Sequence, residues 1–314
     1  MLTEITPAQW GPEAQDAFTR NGYLVLRAAF LGQELNRLRI EAQQLREQVL
    51  AQNVSGIRYW WGDKSQKQAK NLGEQAQWSW GVNEVTRQSL FRPALIDVLG
   101  HAAIDQVLNG LLQEPRAWGL KVLWAPQRSH YQLGWHQDLA GCAGALAAWK
   151  PSANDHVQFN LALNDDASFM LIPGSHRRTL APDVQSAIAN DRTVELPSQL
   201  RVHLAAGDVV FMDAHAWHRG ECPPGAARLS LHYSCQAQWV PLAPWGRAED
   251  FAWICSQAFR DALSPRTRPY YERLSSAVRE VDQLGWLKRA ALQAGYRGPL
   301  PEPLNPFGEK DPYA

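Results

Sequence analysis

Between Leu120 and Val240 the chain breaks into short strand-like runs, each closed by turn-forming residues, and this rhythm constrains the fold more than any other feature. The runs are Leu120 to Trp124, His156 to Leu163, Phe169 to Ile172, Arg201 to Leu204, Asp208 to Met212 and Leu229 to Ser234. Pro173-Gly174, Asn164-Asp165-Asp166, Ala206-Gly207-Asp208 and Pro223-Pro224-Gly225 punctuate them. Such spacing predicts antiparallel strands joined by turns, and therefore a mainly β chain with a jelly-roll or barrel core.

The flanks read as helical. Pro12 to Arg20 has proline at a helix start and Asn21-Gly22 as a stop, followed by a short strand from Tyr23 to Leu26. From Gln33 to about Ala51, Leu35, Leu38, Ala42, Leu45 and Val49 recur at helical intervals, forming the apolar stripe of an amphipathic helix. A further helical stretch runs from Phe91 to Leu112, interrupted at Gly100. Ala248 to Gly295 is mostly helical, with Leu274, Val278, Val281 and Leu284 as its stripe, and a proline-rich tail follows from Pro299. We expect one domain over 1–314, with helical support over 1–119, the strand-rich core over 120–240 and a helical region over 241–314. Residues 52–89 show no sustained period. Their aromatic pairs, including Trp60-Trp61 and Trp78-Ser79-Trp80, suit either a substrate-covering lid over 55–89 or a packed structural loop.

Charge narrows the partners. With 31 basic and 31 acidic residues, no net field draws the chain to nucleic acid or an anionic membrane. A small-molecule partner is expected. The opening residues read as neither a secretory signal nor a transit peptide, and no apolar run is long enough to span a bilayer, so a cytoplasmic location is expected. Four cysteines lie without any C-x-x-C spacing, as reduced thiols would. Most of the 14 tryptophans are read as packing residues. Oligomeric state is not legible.

The chemistry concentrates at Gly134-Trp135-His136-Gln137-Asp138, placed where a strand should begin. On a strand, residues i and i+2 share a face about 6.5 Å apart, so His136 and Asp138 can converge on one metal. An imidazole and a carboxylate supply two-thirds of a facial triad. The motif alone is weak and needs a third ligand. His101, His130 and His176 fall in helical, loop and turn contexts, His156 and His203 lie near strand starts, and His232 is a lesser candidate. His215 and His218 remain, and three residues apart on a strand they face opposite ways. Ten residues after His218 stands Arg228, opening Arg228-Leu229-Ser230-Leu231-His232-Tyr233, where an inward guanidinium can take a dicarboxylate whose other end chelates the metal. That favours His218.

Taken together, Asn21 to Leu26, Trp135 to Asp138, Leu163 to Asp166, Ile172 to Arg177, Gly207 to Phe211, Trp217 to Gly220 and Arg228 resemble the phytanoyl-CoA dioxygenase family of iron(II)/2-oxoglutarate oxygenases, in the family's order. The resemblance implies a double-stranded β-helix, cupin-like core, iron(II) held by His136, Asp138 and His218, and O2 as co-reactant. It also implies that Arg228 binds the distal carboxylate of 2-oxoglutarate. Relatives carry a serine two residues after the distal histidine where this chain has Gly220, and Ser230 is a candidate substitute beside a purely structural reading. Lys121 and Asn160 stand at strand positions from which relatives contact 2-oxoglutarate, and plain hydrogen-bonding roles fit them equally. Two rival readings remain: a cupin-like metal isomerase or hydrolase without O2, and a noncatalytic binding module. The substrate is not legible, although the absence of a basic cluster leans towards a free small molecule with an apolar or aromatic part. Hydroxylation, desaturation and cyclisation would use the same residues.

Overall fold

The computed structural model describes residues 3–59, 71–138, 154–240 and 252–280. Its strands are β1 (Glu4–Ile5), β2 (Tyr23–Leu26), β3 (Ile57–Tyr59), β4 (Ser79–Val82), β5 (Pro115–Trp124), β6 (Tyr131–Gln132), β7 (His156–Ala162), β8 (Asp166–Leu171), β9 (Leu200–Leu204), β10 (Val209–Asp213), β11 (His218–Cys222) and β12 (Leu229–Ala237). The helices are α1 (Pro12–Asn21), α2 (Gly32–Gln52), α3 (Leu72–Ala76), α4 (Pro93–Ile96), α5 (Ala102–Leu111), α6 (Pro182–Asn190), α7 (Gln257–Asp261) and α8 (Arg268–Glu280). One sheet has the order β1-β2-β10-β7-β12-β5-β4-β3 and the other β6-β11-β8-β9. From β5 onward the chain passes repeatedly between the two sheets, which is the winding of a jelly roll. The expected fold class is therefore the observed one. Among the described residues no helix is long and apolar enough to cross a membrane.

Alternation along the central strands explains how a buried sheet carries polar residues. Leu231, Tyr233 and Cys235 of β12 join Phe159 and Leu161 of β7 and the stripes of α2 and α5 in one apolar core. Phe159 stacks on Tyr233 with ring centroids 4.5 Å apart. Each fully buried leucine in this layer stabilises the fold by about 1.5–3 kcal/mol. The opposite face bears Ser230, His232, Ser234 and Gln236 of β12 and His156, Gln158 and Asn160 of β7, all buried. Farther along the sandwich, Val25, Val210 and Met212 of the large sheet pack on Phe169, Leu171, Val202 and Leu204 of the small one. The interior is apolar there and polar near β12.

α1 ends as expected, with Gly22 in the left-handed region at φ 74°. α2 buries the five predicted stripe residues. Other expectations needed correction. The segment over 52–89 is not irregular throughout, because β3 pairs with β4 and β4 extends the large sheet beside β5. Trp78 and Trp80 are buried within it, so they pack, while Trp60 and Trp61 lie outside the described residues. The helical stretch over 91–112 is divided into α4, a 3-10 turn and α5. Gly100 sits at the division because a Cβ there would lie 2.8 Å from the Thr267 nitrogen. α7 and α8 answer the C-terminal expectation as far as residue 280, with Leu274 buried, whereas Val281, Leu284 and the tail from Pro299 lie outside the described residues. The expected strand from Leu120 starts five residues earlier, at Pro115, where it pairs with the end of β12 across a bulge at Ser234/Cys235.

Candidate metal centre

β6 stops at Gln132, so His136 and Asp138 do not lie on the continuous strand that their spacing suggests. Instead His136 forms an isolated antiparallel bridge with His218, the first residue of β11, each backbone N–H reaching the other's carbonyl at 3.0 Å. Asp138 follows in a turn. His136 Nε2 lies 3.4 Å from Asp138 Oδ1 and His218 Nε2 lies 3.6 Å from Asp138 Oδ2. The two imidazole centroids are 4.3 Å apart. These three donor atoms lie within 4.8 Å of one another, close enough to share one ion.

The backbone also selects the ring tautomers. His136 Nδ1 meets the Gly134 carbonyl at 2.7 Å, and His218 Nδ1 meets the Ala216 carbonyl at 2.9 Å. A carbonyl can only accept, so both Nδ1 atoms carry a proton, and Nε2, the ring atom nearer Asp138, is the one that would ligate an ion. Burial, aided by the neighbouring His136, pushes His218 down to about 4. Burial opposes charge on Asp138 as well, but His218, His136 and Lys121 together hold its carboxyl well below the ordinary range. Two buried imidazoles and a partly exposed carboxylate form a donor set suited to a divalent first-row metal.

Arg228 stands immediately before β12 and is buried, with its Nε 3.4 Å from Asp166 Oδ2. Its Nε and Nη1 atoms and the Ser230 hydroxyl are buried without hydrogen-bond partners. Buried donors left unmet are costly, and these groups could be met by a ligand. Burial works against the guanidinium charge, but Asp166 and Tyr131 raise Arg228 above its ordinary value. Lys121, His232 and Asn160 stand side by side on β5, β12 and β7. His232 Nδ1 meets Asn160 Oδ1 at 2.8 Å, so the amide oxygen of Asn160 already has a partner inside the protein. Burial and the nearby Arg58 lower Lys121 to about 8. Arg58 itself lies over the Trp80 ring at 4.5 Å.

Sequence reasoning missed Arg58 and Tyr131. Neither belongs to a recognisable spacing, and each reaches the site through tertiary contacts: Tyr131, for example, lies against Arg228, whose guanidinium carbon is 5.5 Å from its ring centroid. The remaining histidines are placed elsewhere. His101 faces Glu34, His130 faces Glu221, His176 packs against Gly22, and His203 is exposed on β9.

A second group, Asp155, His156 and His215, also brings metal-type donors together. Its hydrogen bonds argue against an ion. Arg116 donates twice to Gln236 Oε1, at 2.8 and 3.1 Å, which fixes the Gln236 amide so that its Nε2 donates to His156 Nε2. The proton of His156 is then on Nδ1, facing Asp155, which also receives His215 Nε2 at 2.8 Å. No lone pair of His156 is left for a cation. His215, the rejected alternative to His218, is thus engaged by Asp155.

On the outer side of the metal-bearing segments, a cavity of about 730 Å³ is lined by Trp135, Gln137, Trp217, Arg177, Arg178 and Arg192. Trp135 and Trp217 alternate with His136 and His218, so this cavity does not open on the three donors. It nevertheless corrects the expectation that no basic cluster exists.

The model of the family described as Phytanoyl-CoA dioxygenase (PhyH) matches residues 18–222, which include all three converging donors. No curated protein matches the chain. Among solved structures, EctD from S. alaskensis with 2-oxoglutarate and 5-hydroxyectoine superposes with a TM-score of 0.54 at 18% identity, over 74% of this chain and 77% of that one. The non-heme alpha ketoglutarate dependent carbocyclase SnoK from nogalamycin biosynthesis gives 0.53 at 15% identity, covering 75% of this chain and 87% of its own. The epimerase SnoN from the same biosynthesis gives 0.50 at 20% identity, covering 71% and 79%. These likenesses establish the fold.

Proposed function

The chain belongs to the phytanoyl-CoA dioxygenase family, and from that premise we propose that it is an iron(II)- and 2-oxoglutarate-dependent oxygenase of a small molecule. The observation that carries this reading is the pairing of two converging Nε2 atoms and a carboxylate with a buried arginine whose Nε and Nη1 lack hydrogen-bond partners. His136, Asp138 and His218 would hold the iron. Arg228 would take the distal carboxylate of 2-oxoglutarate, with Ser230 beside it, and Lys121 and Asn160 would border the site. Bound iron and 2-oxoglutarate supply oxidation by O2 coupled to decarboxylation to succinate.

The protein's own part is to orient and enclose. The Gly134 and Ala216 carbonyls fix both imidazoles, and Asp138 fills the third protein position, leaving the rest for exchangeable ligands. Hydroxylation is the default outcome. Desaturation or cyclisation would rely on the same groups.

The test is substrate-stimulated succinate release from 2-oxoglutarate, screened across a metabolite library with iron(II) present. Consumption of a substrate by the metal-loaded protein without succinate would instead indicate a metal isomerase or hydrolase. Failure to bind iron at all would indicate a noncatalytic binding module.

A further inference from the structure

Gly220, on β11, is two residues beyond His218, and the structure shows what its missing side chain leaves room for. A Cβ built there would lie 2.8 Å from the Tyr131 hydroxyl, 3.1 Å from its Cε1 and 3.3 Å from its Cζ. Any side chain at 220 would have to displace the phenol. β6 and β11 pair directly, which brings Tyr131 opposite this stretch. Trp80 backs the Tyr131 ring at 4.6 Å, and the ring is almost wholly buried.

The phenol also faces Arg228, whose guanidinium carbon lies 5.5 Å from the ring centroid. A guanidinium can only donate, and a phenol can donate as well as accept, so both groups suit a carboxylate placed beside them. Burial pushes the hydroxyl's pKa up despite the pull of Arg228 and Arg58, so it is a neutral donor at any physiological pH. The fold therefore sets Tyr131 against Arg228, with Ser230 two residues farther along, and the Arg228 Nε and Nη1 atoms and the Ser230 hydroxyl are buried without hydrogen-bond partners.

We propose that Tyr131 is a further donor to the distal carboxylate of 2-oxoglutarate, acting with Arg228 and Ser230, and that residue 220 is glycine because the phenol occupies its side-chain space. The proposal rests on the cosubstrate reading given above. Two charge-neutral hydroxyls and one bidentate cation would then surround the carboxylate from β6 and β12, selecting a dicarboxylate over a monocarboxylic 2-oxo acid.

The experiment is anaerobic titration calorimetry of the iron(II)-loaded full chain with 2-oxoglutarate, and separately with pyruvate, which offers the metal the same 2-oxo acid but no distal carboxylate. Tyr131→Phe should weaken 2-oxoglutarate binding by about 10- to 100-fold while leaving pyruvate and iron affinity unchanged. Gly220→Ala should weaken 2-oxoglutarate as well, and in the double variant the two losses should not add, since both act through one hydroxyl. If Gly220→Ala does not fold, Tyr131→Phe still decides the matter. A wild-type chain that binds 2-oxoglutarate no better than pyruvate would overturn the cosubstrate reading and this proposal together. A wild-type preference for 2-oxoglutarate that survives intact in Tyr131→Phe would overturn the Tyr131 assignment alone.

Discussion

Replacing Arg228 by leucine separates ligand binding from folding at the proposed cosubstrate site. The guanidinium is buried, its Nε and Nη1 make no hydrogen bond, and its protein counter-charge is Asp166, 3.4 Å from Nε. Removing it therefore has two consequences. A bound carboxylate loses its charge-assisted fork, and stripping one member from a buried pair costs about 3–5 kcal/mol. At about 1.4 kcal/mol per decade, 2-oxoglutarate affinity should fall by roughly two to three and a half orders of magnitude. Asp166 is meanwhile left buried opposite leucine, but its Oδ1 still accepts the Ser168 N–H at 2.8 Å. That limits the loss of folding stability to about 1–3 kcal/mol. Arg228→Leu/Asp166→Asn should recover stability without recovering affinity. Arg228→Lys, which keeps the charge and loses the fork, should bind with intermediate strength. Anaerobic titration calorimetry reads the affinity and urea denaturation the stability. A folded Arg228→Leu protein with wild-type 2-oxoglutarate affinity would refute the reasoning.

Asp138→Ala should lose iron binding and activity, and the wild type turned over in high chloride should yield oxygenated or desaturated product; mass spectrometry finding a chlorinated product would remove Asp138 from the ligand set. In the Asp155–His215 pair, burial opposes both charges, yet His156 and His215 hold Asp155 below its ordinary range, while Asp155 and Asp213 hold His215 above its own. The aspartate's contribution is lost as pH falls below its unfolded value of about 4, and the histidine's begins to fade above about 6.5 and is lost as pH rises through its raised folded value. Asp155→Asn should therefore cost about 2–3 kcal/mol near pH 6 and clearly less at pH 9, in urea melts at both; a penalty that does not change with pH would show the pair is not ionised. Gly207→Ala should destabilise by about 3 kcal/mol or more, because φ is +93° and the new Cβ would sit 2.1 Å from the Phe30 carbonyl oxygen; a loss under about 1 kcal/mol would show that the turn relaxes.

Local rules made much of this protein legible in its residues. The stripe of α2, the Gly22 stop, the short strands and the turns between them follow from side-chain period and backbone preference, which neighbours in the chain settle. The pairing of His136 with Asp138 could also be read, since two residues of separation keep both groups close in any extended conformation. What the residues did not contain was the means of convergence. β6 and β11 are too short to show a period, and His136 meets His218 through a bridge closed across 82 positions of chain. The same holds for Tyr131 and Arg58, whose positions depend on which strands become neighbours. The cluster of Arg177, Arg178 and Arg192 was invisible for a related reason: two sheets and α6 had to pack before these charges shared a cavity. Sequence alone determined the element types and the donor chemistry, because those rest on local energetics. Tertiary structure decided which donors meet, which tautomers they hold and which buried N–H groups lack hydrogen-bond partners, because these depend on contacts between segments far apart in the chain.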